Sequence, residues 1–343
     1  MKALKYLLVF TIPIMVTISF KSHGWPTFLP LIYVFGIIPF ADLFFKVNSN
    51  NFNKEQEEIE KNNKLYTYIL YLIVPTQLFF LIWFLFIINE PNNTTIDYLG
   101  KISAMGTMCG ILGINVGHEL GHRNNRFQQF LGELLLTTSL ENHFLPYHNG
   151  GHHYNVATPE DAATARKNES LYTFWIRSHF SSYQKAWLLE NQRLKSTNRS
   201  WFHHQNRMII YTFINILLIF SIYFFFNTYT FFAFIGSAVF GILLLETVNY
   251  IEHYGLLRNK NKYGRYEKVK HHHSWNSNHV VGKLILFNLS RHSDHHYNGS
   301  KRYQILKSLP KSPQMPTGYP GMMLISLIPP IWFRLMNKKL QEI

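Results

Sequence analysis

Cysteine is almost absent from this chain: one, Cys109, in 343 residues. A lone thiol excludes a disulfide framework, a cysteine zinc site and an iron–sulfur cluster held by the chain itself. Charge is also scarce. Asp, Glu, Lys and Arg make up 15% of the sequence, against about 25% in ordinary soluble domains. Acidic residues are the scarcest, 19 against 33 Lys and Arg, which leaves a net charge of +14. That surplus would suit nucleic acid, but the long apolar runs assign it to a membrane surface instead. A soluble globular domain and a nucleic-acid binder are both excluded. The first apolar run follows Lys2 and Lys5 but lacks a small-residue cleavage site, so it is expected to be a retained helix rather than a signal peptide.

What the chain has in abundance is apolar length. Six stretches, about 4–20, 26–45, 65–88, 98–116, 208–226 and 230–248, can each cross roughly 30 Å of hydrocarbon as a helix. They predict an all-α integral membrane protein whose six transmembrane helices form three hairpins, within a single domain over residues 1–343. The short loops set the orientation. Residues 46–64 carry Lys46, Lys54, Lys61 and Lys64, whereas 89–97 and 227–229 carry no Lys or Arg. By the positive-inside rule both termini and the segments 117–207 and 254–343 are cytoplasmic, at a bacterial-type inner membrane. Those two segments hold 10 and 15 of the basic residues and are expected to be the catalytic ones. Residues 171–204 mix aromatics with Lys and Arg and read as a pair of membrane-surface helices; residues 48–64 read as a solvated linker.

Nine of the 18 histidines fall in four clusters, all at predicted cytoplasmic positions. His118 and His122, spaced four apart at the end of the fourth span, share a helix face. His148, His152 and His153 flank glycines that permit a tight turn. His253 ends the sixth span, and His292, His295 and His296 are spaced to lie on one helical face. Zinc is satisfied by four ligands, so nine imidazoles are too many for one such ion. Two ions with four or five imidazoles each would use all nine, although imidazole alone does not distinguish iron from copper, nickel or zinc. Among the other histidines, His179, His203 and His204 read as interfacial. His143 and His273 read as groups beside a cluster.

His118-Glu119-Leu120-Gly121-His122 also fits the zinc-protease pattern, with Glu119 as base. That reading leaves seven clustered histidines unexplained. A transporter would need ionisable residues in mid-span, whereas Asp42 and Lys101 lie near span ends.

The blocks 118–122, 148–153, 249–256 (Asn-Tyr-Ile-Glu-His-Tyr-Gly-Leu) and 290–296 resemble the histidine boxes of integral-membrane alkane monooxygenases, relatives of the membrane fatty-acid desaturases. Thr158–Asp161, His273–Ser277 and Arg302–Gln304 also resemble family segments, and the resemblance runs from about residue 30 to about 315. It implies that His118, His122, His148, His152, His153, His253, His292, His295 and His296 ligate two irons in a cytoplasmic-side di-iron helical region. It also implies that Glu119, Glu252 and Asp294 orient ligand imidazoles. The implied reaction is hydroxylation of the terminal methyl of a medium or long alkane by O2. Two electrons would come from a soluble rubredoxin fed by a reductase, since the chain has no redox centre of its own. The family's second box commonly reads Glu-His-Asn-Arg-Gly-His-His; here Tyr147 takes the Glu place and Gly150 the Arg place. That departure leaves open a xylene-like aryl-methyl substrate, or another lipid that is hydroxylated or desaturated.

Overall fold

The computed structural model describes residues 2–343. Six helices are long and apolar enough to cross a membrane among the described residues: α1 (Lys2–Lys21), α2 (Trp25–Phe44), α4 (Leu65–Ile87), α5 (Thr95–Gly121), α8 (Arg207–Phe225) and α9 (Thr228–His253). Between them lie α3 (Lys54–Asn62), α6 (Arg126–Thr137) and α7 (Leu171–Lys195). After them come the short α10 (Val280–Ile285), α11 (His292–Tyr297) and α12 (Tyr319–Ser326), then α13 (Pro329–Gln341). No strand occurs among the described residues.

The spans start where a side chain can satisfy the first free amides. Thr94 and Asp97 form a reciprocal cap at α5, and the side chains of Asn206 and Asn227 cap α8 and α9. Pro75 lies inside α4, which a membrane helix tolerates when its neighbours pack closely. The expected boundaries hold within a few residues except at two ends. α5 and α9 run on to Gly121 and His253, because their polar last turns are buried by protein rather than by lipid.

α5 is the central helix, buried along most of its length, and α9 packs on it through glycines. A Cβ at Gly106 would stand 2.6 Å from Phe240, and one at Gly241 would stand 2.7 Å from Cys109. Small residues let the two backbones approach, the usual way helices associate where lipid offers no hydrophobic drive. The short connections meet at one end: Gly24 N donates to Asp97, and Asn227 bonds Asn89. At the other end the long connections fold together over the turns that carry the histidine boxes.

One expectation is corrected there and another refined. Residues 48–64 are largely exposed, as expected of a solvated segment, but they contain α3 and are tied to the rest of the protein. Asn48 and Asn50 carbonyls accept from Arg291, Asn53 caps α3, and Glu60 is buried against Tyr66. Within residues 171–204 a single 25-residue helix, α7 (Leu171–Lys195), forms rather than a pair. The Asp42 carboxylate accepts from the amides of Val281 (2.9 Å) and Gly282 (3.5 Å), which caps α10.

Three segments adopt the wide i→i+5 turn of a π-helix: Tyr33–Ile37 in α2, Cys109–Ile114 in α5, and His148–His152. Each borders the site described next.

Candidate metal centre

The nine boxed histidines converge and sort into two groups. His118, His122, His148, His153 and His295 form one; His152, His253, His292 and His296 form the other. Their placement follows from the elements that carry them. His118 and His122 lie one turn apart at the end of α5, and His253 ends α9, so the packed central pair supplies both groups. The glycines of the second box do not make the expected tight turn. They sit in the π turn, which brings His153 Nε2 to 3.0 Å from His148 Nε2. In a regular α-helix a residue five positions on would point about 140° away. On α11, His292, His295 and His296 share one face as expected, with ring centroids 4.5 to 5.6 Å apart, yet His292 and His296 join one group while His295 joins the other.

The nitrogens are too close and too many for hydrogen bonding. His118 Nε2 lies 2.9 Å from His148 Nε2, 3.0 Å from His122 Nε2 and 3.2 Å from His295 Nε2. In the second group His292 Nε2 is 3.1 Å from His253 Nε2 and 2.9 Å from His296 Nε2. A neutral imidazole has one N–H and one lone pair, so a single nitrogen cannot be satisfied by three others. A shared cation satisfies all of them at once, and the donor set therefore fits metal. Burial first, and neighbouring imidazoles second, hold His148, His292, His295 and His296 well below their ordinary pKa. They are neutral at working pH, as ligands must be.

Carboxylates brace the second group. Asp161 Oδ2 accepts from His152 Nδ1 at 3.0 Å, and Glu252 Oε1 lies 3.2 Å from His292 Nδ1. Burial alone would raise the Asp161 pKa, but the His152 ring and the hydrogen bonds from His152 and Tyr147 outweigh it and hold the carboxyl below its usual range. Tyr147 donates to Asp161 Oδ1 and accepts from the Ala162 amide at 2.7 Å. Tyr319 donates to Glu252 at 2.7 Å. Glu119 and Asp294 do not meet an imidazole. Glu119 takes Arg123 (2.5 Å) and the Tyr303 amide (3.3 Å); Asp294 takes Lys301 (2.6 Å) and the Lys307 amide (2.7 Å). A carboxylate next in sequence to a ligand on a helix points away from it, and basic neighbours claim it. Asp161 was missed as a site residue, although its block Thr158–Asp161 carried the signal.

An apolar channel ends on these rings. Val34, Phe35, Ile111, Ile114, Leu244 and Val248 form its walls, and His118, His148 and His292 lie at its inner end. A second apolar cavity between α2, α7, α9 and α12 shares Phe35, Leu244 and Met323 with it. On the other side, a polar cleft lined by Arg123, Asn149 and Ser300 reaches the half-buried rings of His122 and His153. Gly150, where the family pattern has Arg, is exposed in the π turn. His143 and His179 stand apart from the nine, beside Glu141.

The family model for fatty acid desaturases matches residues 98–325. The chain is 38% identical over 321 residues to alkane 1-monooxygenase 2 of Pseudomonas aeruginosa, covering 93% of this chain and 85% of that one. It is 36% identical over 325 residues to alkane 1-monooxygenase 1 of Alcanivorax borkumensis, covering 94% and 80%. The hydroxylase component of a xylene/toluene monooxygenase from Pseudomonas putida is 26% identical over 251 residues, 73% of this chain and 65% of that one.

Proposed function

The chain belongs to the alkane hydroxylases of the fatty acid desaturase family, membrane oxidoreductases, and from that premise we propose that it converts the terminal methyl of a medium or long alkane to the primary alcohol. The reaction is R–CH3 + O2 + 2e− + 2H+ → R–CH2OH + H2O. The observation that carries this reading is the convergence of nine imidazoles at the closed end of an apolar channel. Five would hold one iron and four the other. When bound, the iron pair supplies the reduction of O2 and the oxidation of the C–H bond.

The chain's own residues do the rest. Val34, Phe35 and Ile111 and their neighbours receive an alkane from the bilayer and hold it extended, with its end against His118, His148 and His292. An apolar wall offers water no partner, so the reacting carbon is kept dry. The depth of the channel decides which carbon reaches the metals. The cavity shared through Phe35, Leu244 and Met323 is the route by which substrate leaves the lipid. Asp161 accepts the outer N–H of His152, and Glu252 stands 3.2 Å behind His292 Nδ1; such carboxylates orient the rings and make them stronger donors. Tyr147 and Tyr319 hold these carboxylates in turn. Tyr147 thereby gives the altered second box a structural role of its own.

The histidine end faces the cytoplasm, where the basic loops retain it, and the membrane is the inner one. The electrons come from a soluble rubredoxin with its reductase. The basic surplus of segments 117–207 and 254–343 steers an acidic donor towards the metals, so reduction slows as salt is added.

The test is product analysis by mass spectrometry. Cells expressing the protein with a rubredoxin and its reductase receive octane, hexadecane and p-xylene under 18O2. A labelled 1-alkanol is expected. A benzylic alcohol with no alkanol would replace the substrate with an aryl methyl, the reading that the xylene/toluene relative favours. An unlabelled or unsaturated product would overturn hydroxylation.

A further inference from the structure

Beside the nine-histidine centre, but outside it, two histidines and a glutamate face one another with no role in the reading above. Glu141 follows α6, His143 is two residues on, and His179 comes from α7. Glu141 is 1% exposed and His143 5%, while the His179 side chain is 31% exposed at the edge of the cluster. Their donor atoms all lie within 4.8 Å of one another.

The arrangement leaves valences empty. Glu141 Oε2 and His179 Nδ1 are buried atoms with no hydrogen-bond partner. His143 Nε2 meets only Ser182 Oγ, at 3.5 Å, besides the carboxylate. A buried acceptor left alone costs about 1–3 kcal/mol, more if charged. Neither Glu141 nor Glu246, which lines the same small cavity, has a Lys or Arg salt-bridge partner among the described residues. Two buried carboxylates thus share one space with no fixed cation.

We propose that Glu141, His143 and His179 form a third metal site, which takes a divalent transition ion such as zinc. Two imidazoles and a carboxylate are a common donor set for such ions, with water completing the shell. Donors placed tetrahedrally about zinc at about 2.0–2.1 Å stand roughly 3.4 Å apart. His143 Nε2 is 3.4 Å from Glu141 Oε1, and His179 Nδ1 is 3.9 Å from Glu141 Oε2. Burial and the nearby Glu246 push the Glu141 carboxyl up. Burial and His179 bring His143 down to about 3. The imidazole is therefore free to ligate, and a dication would restore the carboxylate. The ion would pin α7 to the loop after α6. The proposal does not depend on which metals the nine histidines hold.

The test counts metals. Full-length protein purified in detergent with its resident metals is incubated with Zn2+ and desalted, and zinc and iron per chain are measured together. The parent is expected to retain zinc without losing iron. Zinc should fall to about a tenth in His179→Ala and in Glu141→Gln, with iron unchanged. Should Glu141→Gln fail to fold, His179→Ala, at a half-exposed position on α7, carries the comparison. Zinc retained equally by parent and variants would mean adventitious binding at exposed histidines such as His204, and would overturn the site. So would a parent that retains none. Iron lost together with zinc would assign these residues to the nine-histidine centre and overturn a separate site.

Discussion

The two histidine groups are built from the same helices yet stand in different surroundings. The four-histidine group is fully buried, and two of its rings, His152 and His292, are backed by carboxylates that tyrosines hold in turn. The five-histidine group has no carboxylate on its rings among the described residues, and His122 and His153 border a polar cleft. An imidazole that donates its second N–H to a carboxylate is a stronger donor and is less free to turn. One half of the centre is therefore fixed from behind, and the other is open to water and small solutes. The apolar channel touches both halves, at His118 and His148 on one side and His292 on the other.

The largest expected effect comes from removing a ligand. His292→Ala should halve the iron per chain and abolish hydroxylation, a loss of at least about 100-fold, since even partners outside the ligand set are worth about 10–100-fold. A fully loaded, active His292→Ala enzyme would break the assignment. Chelation sharpens the contrast next. A water-soluble iron chelator should strip iron in two phases, the faster from the five-histidine group through the cleft. A single phase for all the iron would make the two halves equivalent.

The carboxylates rank third. Asp161→Asn should weaken metal retention about 10–100-fold, whereas Glu119→Gln, which loses only its contacts with Arg123 and Tyr303, should leave the metal count unchanged. Equal metal loss in both would erase the distinction between braced and unbraced halves. The smallest effect is expected of Tyr147→Phe. It removes the hydrogen bond to Asp161 together with the one accepted from the Ala162 amide, and should cost about 1–3 kcal/mol of stability, read as a lower thermal midpoint with iron retained.

Much of this was legible in the sequence, and the reason is periodicity. Apolar runs of bilayer length marked the spans, and spacing of four marked His118 with His122. The clusters that would meet were likewise apparent. Which histidine joins which group was not. His152 and His153 are neighbours in the chain and part company in space, as do His295 and His296. Adjacent residues on a helix point about 100° apart, so a run of histidines divides between centres according to where the turn sits. Spacing alone cannot locate that turn when it is a π turn. The braces were harder still. Glu119 and Asp294 were credited for standing beside ligands in sequence, whereas the acceptor on His152 comes from Asp161, nine residues on in an irregular stretch. The fate of residues 48–64 was hidden for the same reason: Arg291, their partner, is more than two hundred residues away.

The three π turns have a consequence for how this scaffold can vary. A wide turn takes up one residue more per hydrogen bond than an α turn. It therefore works as a vernier, shifting the angular phase of everything beyond it while the helix on each side keeps its pitch. Cys109–Ile114 sets the phase between the lipid-embedded part of α5 and the turn bearing His118 and His122. Deleting a single residue there would leave composition and hydrophobicity almost untouched. It would nonetheless swing both ligands by about 100°, out of register with every other box.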